Sequence, residues 1–251
     1  MEKSRKDNKK NIIILSIILA ILLFILGAIC WENYQKSAEE AKTVKNLQIE
    51  NEKKASEALD AGIDFAALQK INPDVYAYIK IEGTAVDYPI LQSEDGSIDY
   101  LNTTLEGKEG YPGAIYTENV NSKDFHDANT VIYGHHMKDG SMFGSLLNYR
   151  DSNYMAEHPD ITIYLPDEKL TYHIYAAVTF DDRYIMENYN FDTYSGRQDF
   201  INDLKIFGAT TGVFNNDVEP GKDDSLITLS TCASGEEERF LVVGVKINEN
   251  E

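Results

Sequence analysis

Leu170-Thr171-Tyr172-His173-Ile174-Tyr175-Ala176-Ala177-Val178-Thr179-Phe180 reads as the longest strand in the chain. A period of two would set Tyr172, Ile174, Ala176, Val178 and Phe180 on one face and His173 on the other, a surface position. Seven shorter runs share this β character: residues 75–81, 85–91, 114–117, 130–133, 161–165, 226–232 and 240–247. Turn signals separate them, and eight such runs predict a mainly β domain, a barrel or a sandwich.

Between the strands at 170–180 and 226–232 lies a long connection, about residues 181–224. Ser195 followed by Gln198 forms a capping box, and Phe200, Ile201, Leu204 and Phe207 make an apolar stripe ending near Gly208. One helix is therefore expected inside that connection. A connection of this length with internal structure is expected to carry function. At the other end of the domain, Asp64 can cap a short helix running to about Lys70, which Asn72-Pro73-Asp74 stops by turn chemistry.

Further upstream the character changes. Residues 32–58 are polar, rich in Ala, Glu, Lys and Gln and free of Pro and Gly, a composition that favours a solvated helix. Residues 12–31 hold no charge, and as a helix they span about 30 Å, the thickness of a bilayer core. Ala28-Ile29-Cys30 loosely fits a cleavage site, but the apolar run exceeds the usual signal-peptide core of about 7–15 residues. The first ten residues hold five basic and two acidic side chains, so the positive-inside rule keeps them in the cytoplasm. The expected order is a cytoplasmic basic tail (1–11), a single transmembrane helix (12–31), a helical stalk (32–62) and an extracellular domain (63–251).

The 251 residues carry a formal charge of −19, of which the body past the basic tail accounts for −22. That balance excludes a nucleic-acid binder, which needs a basic face. Two cysteines cannot build a disulfide framework or a four-sulfur zinc site. With Cys30 in the membrane segment, Cys232 is the one thiol of the outer domain.

Cys232 ends the run Leu226-Ile227-Thr228-Leu229-Ser230-Thr231-Cys232 and is followed by the turn Ala233-Ser234-Gly235. A free thiol is most often a small buried hydrophobe, but a strand tip is a poor place to bury one. A nucleophilic thiol needs a base or a cation beside it. Among the five histidines, His126, His158 and His173 read as surface residues. His135 and His136 directly follow a strand and Gly134, where a glycine would allow close approach of a substrate. No third ligand at metal spacing joins them. Arg239, seven residues past Cys232, is either a surface cation answering Glu236, Glu237 and Glu238 or a donor brought beside the thiol if the last two strands are neighbours.

Thr228-Leu229-Ser230-Thr231-Cys232 with a downstream Arg239 resembles the signature of sortases. Tyr133-Gly134-His135-His136-Met137-Lys138-Asp139, followed by Met142-Phe143, is similar to the histidine segment of class B sortases. Ile71-Asn72-Pro73-Asp74 through Val86-Asp87-Tyr88-Pro89-Ile90 resembles the family's first strands. The resemblance implies an eight-stranded sortase β-barrel with N-terminal helices and one helix in the long loop before the cysteine strand. It also implies a cysteine transpeptidase on the outer face of a Gram-positive membrane. Cys232 takes the nucleophile role, His135 the acid/base role because the family's histidine follows the glycine, and Arg239 the oxyanion or substrate-holding role. Ser230 and Thr231 are expected to help bind substrate.

Implied partners are secreted proteins bearing a sorting-signal pentapeptide and an amine of a peptidoglycan cross-bridge or lipid-linked precursor; the anchor adds membrane lipid. The chemistry requires no cofactor. Three other outcomes fit the same residues: a pilin lysine as the amine, water resolving the thioester as in a thiol peptidase, or a non-catalytic barrel that only binds wall peptide. Tyr78 stands where many relatives carry tryptophan, and Ala233 where some class B members carry an acidic residue.

Overall fold

Asp64 caps the first helix of the domain as its sequence predicts: its carboxylate accepts from Ala67 N–H at 2.9 Å. The helix, α1, spans Phe65–Ile71 and ends at Asn72, whose backbone is extended. The computed structural model describes Trp31, Gln35, residues 62–233 and residues 238–247. The expected tail and nearly all of the expected anchor and stalk lie outside the described residues. Among the described residues, no helix is long and apolar enough to cross a membrane.

All eight expected strands form, as β1 (Val75–Lys80), β2 (Asp87–Leu91), β3 (Ile115–Thr117), β4 (Asn129–Tyr133), β5 (Asp160–Tyr164), β6 (Lys169–Asp181), β8 (Leu226–Cys232) and β9 (Glu238–Lys246). A two-residue strand, β7 (Val213–Phe214), was not expected. The order is β5-β1-β2-β3-β4-β8-β9-β6-β7, and β5 also pairs with β6. That last pairing closes eight strands into a barrel and leaves β7 as a flank on β6. Closure removes open sheet edges, so the barrel is the outcome rather than the sandwich. Two pairings are parallel, β2 with β3 and β4 with β8.

Closure creates an interior to which each of the eight strands contributes, among them Ile79, Ile90, Ile115, Ile132, Ile163, Tyr172, Leu229 and Val242. A second core lies on the outer face of β4, β8, β9 and β6. There Val131, Leu226, Leu241, Val243 and Phe180 meet Phe200, Ile201 and Leu204 of the connection. These four strands are thus covered on both faces, and β8 is buried at every position except Cys232.

The alternation expected for β6 does not run through. Ile174 pairs with Gly244 and Ala176 with Val243, so Tyr175 is an extra residue opposite the β9 ladder. Such a bulge reverses the facing of everything beyond it. Tyr172 and Ile174 point into the barrel, whereas Ala176, Val178 and Phe180 join the outer core. Sequence periodicity places all five on one face; the bulge divides them.

The long connection also holds more than the single helix expected. It contains α3 (Ile185–Asn188), α4 (Tyr194–Phe207) and β7; between β5 and the preceding strand lie a 3-10 helix (Gly144–Arg150) and α2 (Ser152–Glu157). One turn of helix is too short to show a 3.6-residue period, which is why α3 leaves no sequence signal. The cap of α4 is Thr193, two residues before Ser195: its backbone is extended and its hydroxyl accepts from Gly196 N–H at 3.1 Å. The apolar stripe of α4 is placed as expected, with Phe200, Ile201 and Leu204 buried.

β3 is only three residues long and leaves part of the edge of β4 without a strand partner. Asn121 fills that gap: its amide donates to the Asn129 carbonyl at 2.9 Å and its Oδ1 accepts from Val131 N–H at 3.0 Å. On the other side, the Thr228 hydroxyl of β8 donates to Asn129 Oδ1 at 2.8 Å, with both residues fully buried. This bond cross-links the two strands that lead to the candidate site. Thr228→Val keeps the shape but leaves a buried carbonyl oxygen unpaired, so a loss of about 1–3 kcal/mol is expected in urea unfolding. An unchanged midpoint would show that the cross-link does not contribute to stability.

Candidate active site

Three neighbouring strands build the site. β8 and β9 run antiparallel with Ser230 opposite Leu241, Thr231 opposite Phe240 and Cys232 opposite Arg239. Directly opposed residues in such a ladder have Cα atoms about 4.5–5.5 Å apart and side chains on one face. Arg239 is therefore the cross-strand partner of Cys232, and the last two strands are neighbours. The residue is half-buried, and its Nη1 donates to the Glu238 carbonyl at 3.2 Å. Cys232 is an exposed free thiol.

β4 lies parallel to β8 on its other side, with Tyr133 beside Ser230. The ladder continues past the strand end, since Gly134 N–H donates to the Ser230 carbonyl at 3.2 Å. His135 and His136 follow Gly134 directly, past the last paired positions, Tyr133 and Ser230. Val131 and Tyr133 belong to the outer core, as do Leu226 on β8 and Leu241 and Val243 on β9. Alternation from these residues carries Cys232 and Arg239 to that same outer face. His136 Nδ1 lies 3.3 Å from the Ala233 carbonyl.

Gly134 also has a packing reason. A Cβ there would stand 2.4 Å from Ile115 Cδ1 and 2.9 Å from Phe143 Cδ2. The glycine admits these barrel side chains.

A cavity of about 210 Å³ opens over this face, and Ser230, Thr231, Cys232 and Arg239 line it. His135 does not line it, although Gly134 does. Ser230 and Thr231 are buried. A larger cavity of about 810 Å³ around Asp99 and Tyr100 includes none of the expected site residues. Among the described residues, no three His, Cys, Asp or Glu side chains converge to hold a metal ion.

Sequence reasoning missed the other walls: Leu101, Tyr116, Tyr133, Arg183, Tyr184 and Ile185. The available signal was the long connection, whose first residues supply one whole wall. Tyr116 and Tyr133 stack across β3 and β4 with centroids 5.4 Å apart. Burial is the main cause that pushes Tyr116, Tyr133 and Tyr184 above the ordinary phenol range, and the charge of Glu118 adds to it. The Arg239 charge acts on Tyr133 in the opposite direction, which places the guanidinium within electrostatic reach of that phenol. The cavity is thus lined by neutral phenols together with the Cys232 thiol, Arg239 and the charged residues Asp181, Asp182 and Arg183.

The wall formed by the connection is held by Arg183. Its Nε and Nη2 bind the Asp181 carboxylate at 2.6–2.9 Å, and Nη1 binds Asp203 of α4 at 2.8 Å and Tyr189 at 3.0 Å. Its guanidinium also lies 5.4 Å from the ring centroids of Phe180 and Phe207. Tyr184 donates to the Glu118 carboxylate and ties the same wall to the exit of β3. Arg183 is committed to architecture, whereas Arg239 lies across the ladder from Cys232. An exposed thiol with a guanidinium-bearing residue across the ladder is compatible with acyl transfer through a covalent thioester.

Residues 79–247 match the Sortase domain family. The chain is 30% identical over 223 residues to sortase B of Listeria monocytogenes, covering 85% of this chain and 88% of that protein. It is also 30% identical over 244 residues to sortase B of Staphylococcus aureus, covering 95% and 97%. A Staphylococcus aureus sortase B–substrate complex superposes with a TM-score of 0.65 at 28% identity, covering 82% of this chain and 95% of that one.

The Arg183 tie responds to acid with a definite sign. Hydrogen bonds from Arg183 hold the Asp181 carboxyl below its ordinary value of 3.8. Its contribution to stability is present above that value and is lost as pH falls through the lowered one. Wild type is therefore expected to exceed Asp181→Asn in unfolding midpoint at neutral pH, with the gap closing on acidification below 3.8. A gap that stayed constant with pH would mean that charge does not hold this wall.

Proposed function

The chain belongs to the class B branch of the sortases, a family of cysteine transpeptidases, and on that premise we propose that Cys232, His135 and Arg239 carry the reaction. The Cys232 thiolate attacks a backbone carbonyl of a sorting signal, forming the C–S bond. Arg239 receives the developing oxyanion, an interaction that gains strength as charge builds on the oxygen. Collapse breaks the C–N bond, and the His135 imidazolium gives its proton to the leaving amine. An incoming amine then bonds to the acyl carbon, its proton returns to His135, and the C–S bond breaks to restore the thiolate. Ser230 and Thr231 form part of the surface on which the peptide lies.

The observation that carries this reading is the cross-strand pairing of Cys232 with Arg239 at an otherwise buried strand's single exposed residue. His136 is given a different role. It holds the Ala233 carbonyl, and so fixes the chain just past the nucleophile.

Residues 12–31 are proposed as the anchor that holds this domain outside the cell, with residues 1–11 cytoplasmic. The substrates are then secreted proteins presenting a sorting-signal pentapeptide. The acceptor is an amine of the peptidoglycan cross-bridge or of its lipid-linked precursor.

The test uses residues 32–251, a library of sorting-signal pentapeptides and oligoglycine or diaminopimelate amines, read by mass spectrometry. Wild type is expected to form a thioester on Cys232 and then an amide. Cys232→Ala should capture no acyl group, and Arg239→Ala and His135→Ala should slow acylation by on the order of 10²–10³. His136→Asn, which keeps a hydrogen-bonding side chain, should stay close to wild type. Covalent capture by Cys232→Ala, or loss of acylation in His136→Asn with retention in His135→Ala, would overturn these assignments.

A further inference from the structure

His135 is covered in an uneven way. Its Nε2 is buried and has no hydrogen-bond partner among the described residues. Its imidazole packs against the ring of Tyr111, with centroids 4.8 Å apart and planes inclined by 55°. Tyr111 itself is 63% exposed. The tyrosine therefore contributes little to any core, while one part of its ring lies on the imidazole and the rest meets solvent.

Backbone bonds, rather than burial, hold Tyr111 in place. Residues 101–113 form a strap in which Thr104 N–H donates to the Lys108 carbonyl at 2.9 Å and Gly110 N–H to that of Asn102 at 2.8 Å. Ala114 N–H closes the strap on the Tyr100 carbonyl at 2.9 Å. Gly113 has φ +69°, and a Cβ there would stand 2.0 Å from the Leu101 carbonyl oxygen, so the two arms touch. The same strap sends Leu101 into the cavity beside Cys232. One loop thus reaches both the thiol's cavity and the imidazole.

We propose that Tyr111 is a water shield over His135, and that it biases resolution of the thioester toward amine acceptors and away from hydrolysis. The proposal rests on the assignment of Cys232 and His135 made above. Both outcomes use the neutral imidazole left after acylation. In hydrolysis, a water oxygen bonds to the acyl carbon, the C–S bond breaks to the thiolate, and the water proton passes to Nε2. In aminolysis, nitrogen takes the place of oxygen and the proton balance is the same. The difference lies in how each acceptor reaches Nε2. A water molecule brings no binding energy with which to displace the ring. An acceptor amine carried on a peptide does, and the exposed part of Tyr111 offers that peptide an aromatic surface.

Wild type, Tyr111→Phe and Tyr111→Ala are compared with one sorting-signal peptide and a fixed concentration of triglycine, scoring thioester, acid and amide by mass spectrometry. Tyr111→Ala is expected to keep forming the thioester while the ratio of acid to amide rises roughly tenfold, a difference of about 1.4 kcal/mol between the two barriers. Tyr111→Phe keeps the ring and should keep the wild-type ratio. If circular dichroism shows that Tyr111→Ala does not fold, Tyr111→Leu, which fills space without an aromatic plane, carries the same expectation. A ratio within about twofold of wild type in a folded variant that still acylates would overturn the shield. So would loss of acylation with no change in the product ratio, which would mark Tyr111 as structural. Absence of any thioester on Cys232 in wild type would instead overturn the assignment of the site, and the shield with it.

Discussion

The shared backbone ladder of β4, β8 and β9 is the constraint on which the rest of the structure depends. Each strand is fixed in register by hydrogen bonds to the next, parallel between β4 and β8 and antiparallel between β8 and β9. A slip of one residue in either pairing would turn Cys232, Arg239 or the segment leading to His135 to the opposite face. Cys232 and Arg239 are therefore set opposite each other by the pairing of main chains, and the segment leading to His135 runs on the neighbouring strand. Register of this quality requires strands that cannot slide, and burial on both faces supplies that.

Double burial in turn explains the long connection. A barrel strand ordinarily turns one face to the interior and the other to water. Here the outer face of β4, β8, β9 and β6 carries Val131, Leu226, Leu241, Val243 and Phe180, which need a cover. The connection supplies it with α4 and with Tyr189 and Phe191. The bulge at Tyr175 is part of the same arrangement, because it turns the second half of β6 outward to receive α4. Arg183 then ties the start of the connection to α4, and Tyr184 ties it to the exit of β3. The cavity beside Cys232 is the remaining opening between this cover and the strand ends. The segment that completes the hydrophobic core is also the segment that shapes the binding surface.

Much of this was legible from local sequence. All eight barrel strands stand within two residues of the runs marked by alternation and turn residues, and Asp64 caps the first helix as its type and position indicate. The apolar stripe of α4 identified its buried face. The candidate residues were legible for chemical reasons: a thiol at a strand tip, histidines after a glycine and an arginine opening the next strand. The failures lie below the resolution of a periodic pattern. The bulge at Tyr175 leaves no mark in the pattern, α3 is a single turn too short to show a period, and the cap at Thr193 stands two residues from the expected one, so periodicity carries no record of them. Leu101, Tyr116 and Tyr184 were invisible as cavity walls because each is an ordinary hydrophobic or aromatic residue until the chain brings it to the thiol.

The sequence by itself determined which segments become strands, where the helix of the connection lies and which residues have the chemistry of acyl transfer. These are properties of side-chain type and local spacing, and they survive without knowledge of neighbours. Tertiary structure alone decided that Arg239 stands across from Cys232, that His136 reaches the Ala233 carbonyl, and that Tyr111 comes to rest on the His135 imidazole. Such relations are set by strand register and barrel closure, which couple distant residues through the backbone, and a linear pattern holds no measure of that coupling.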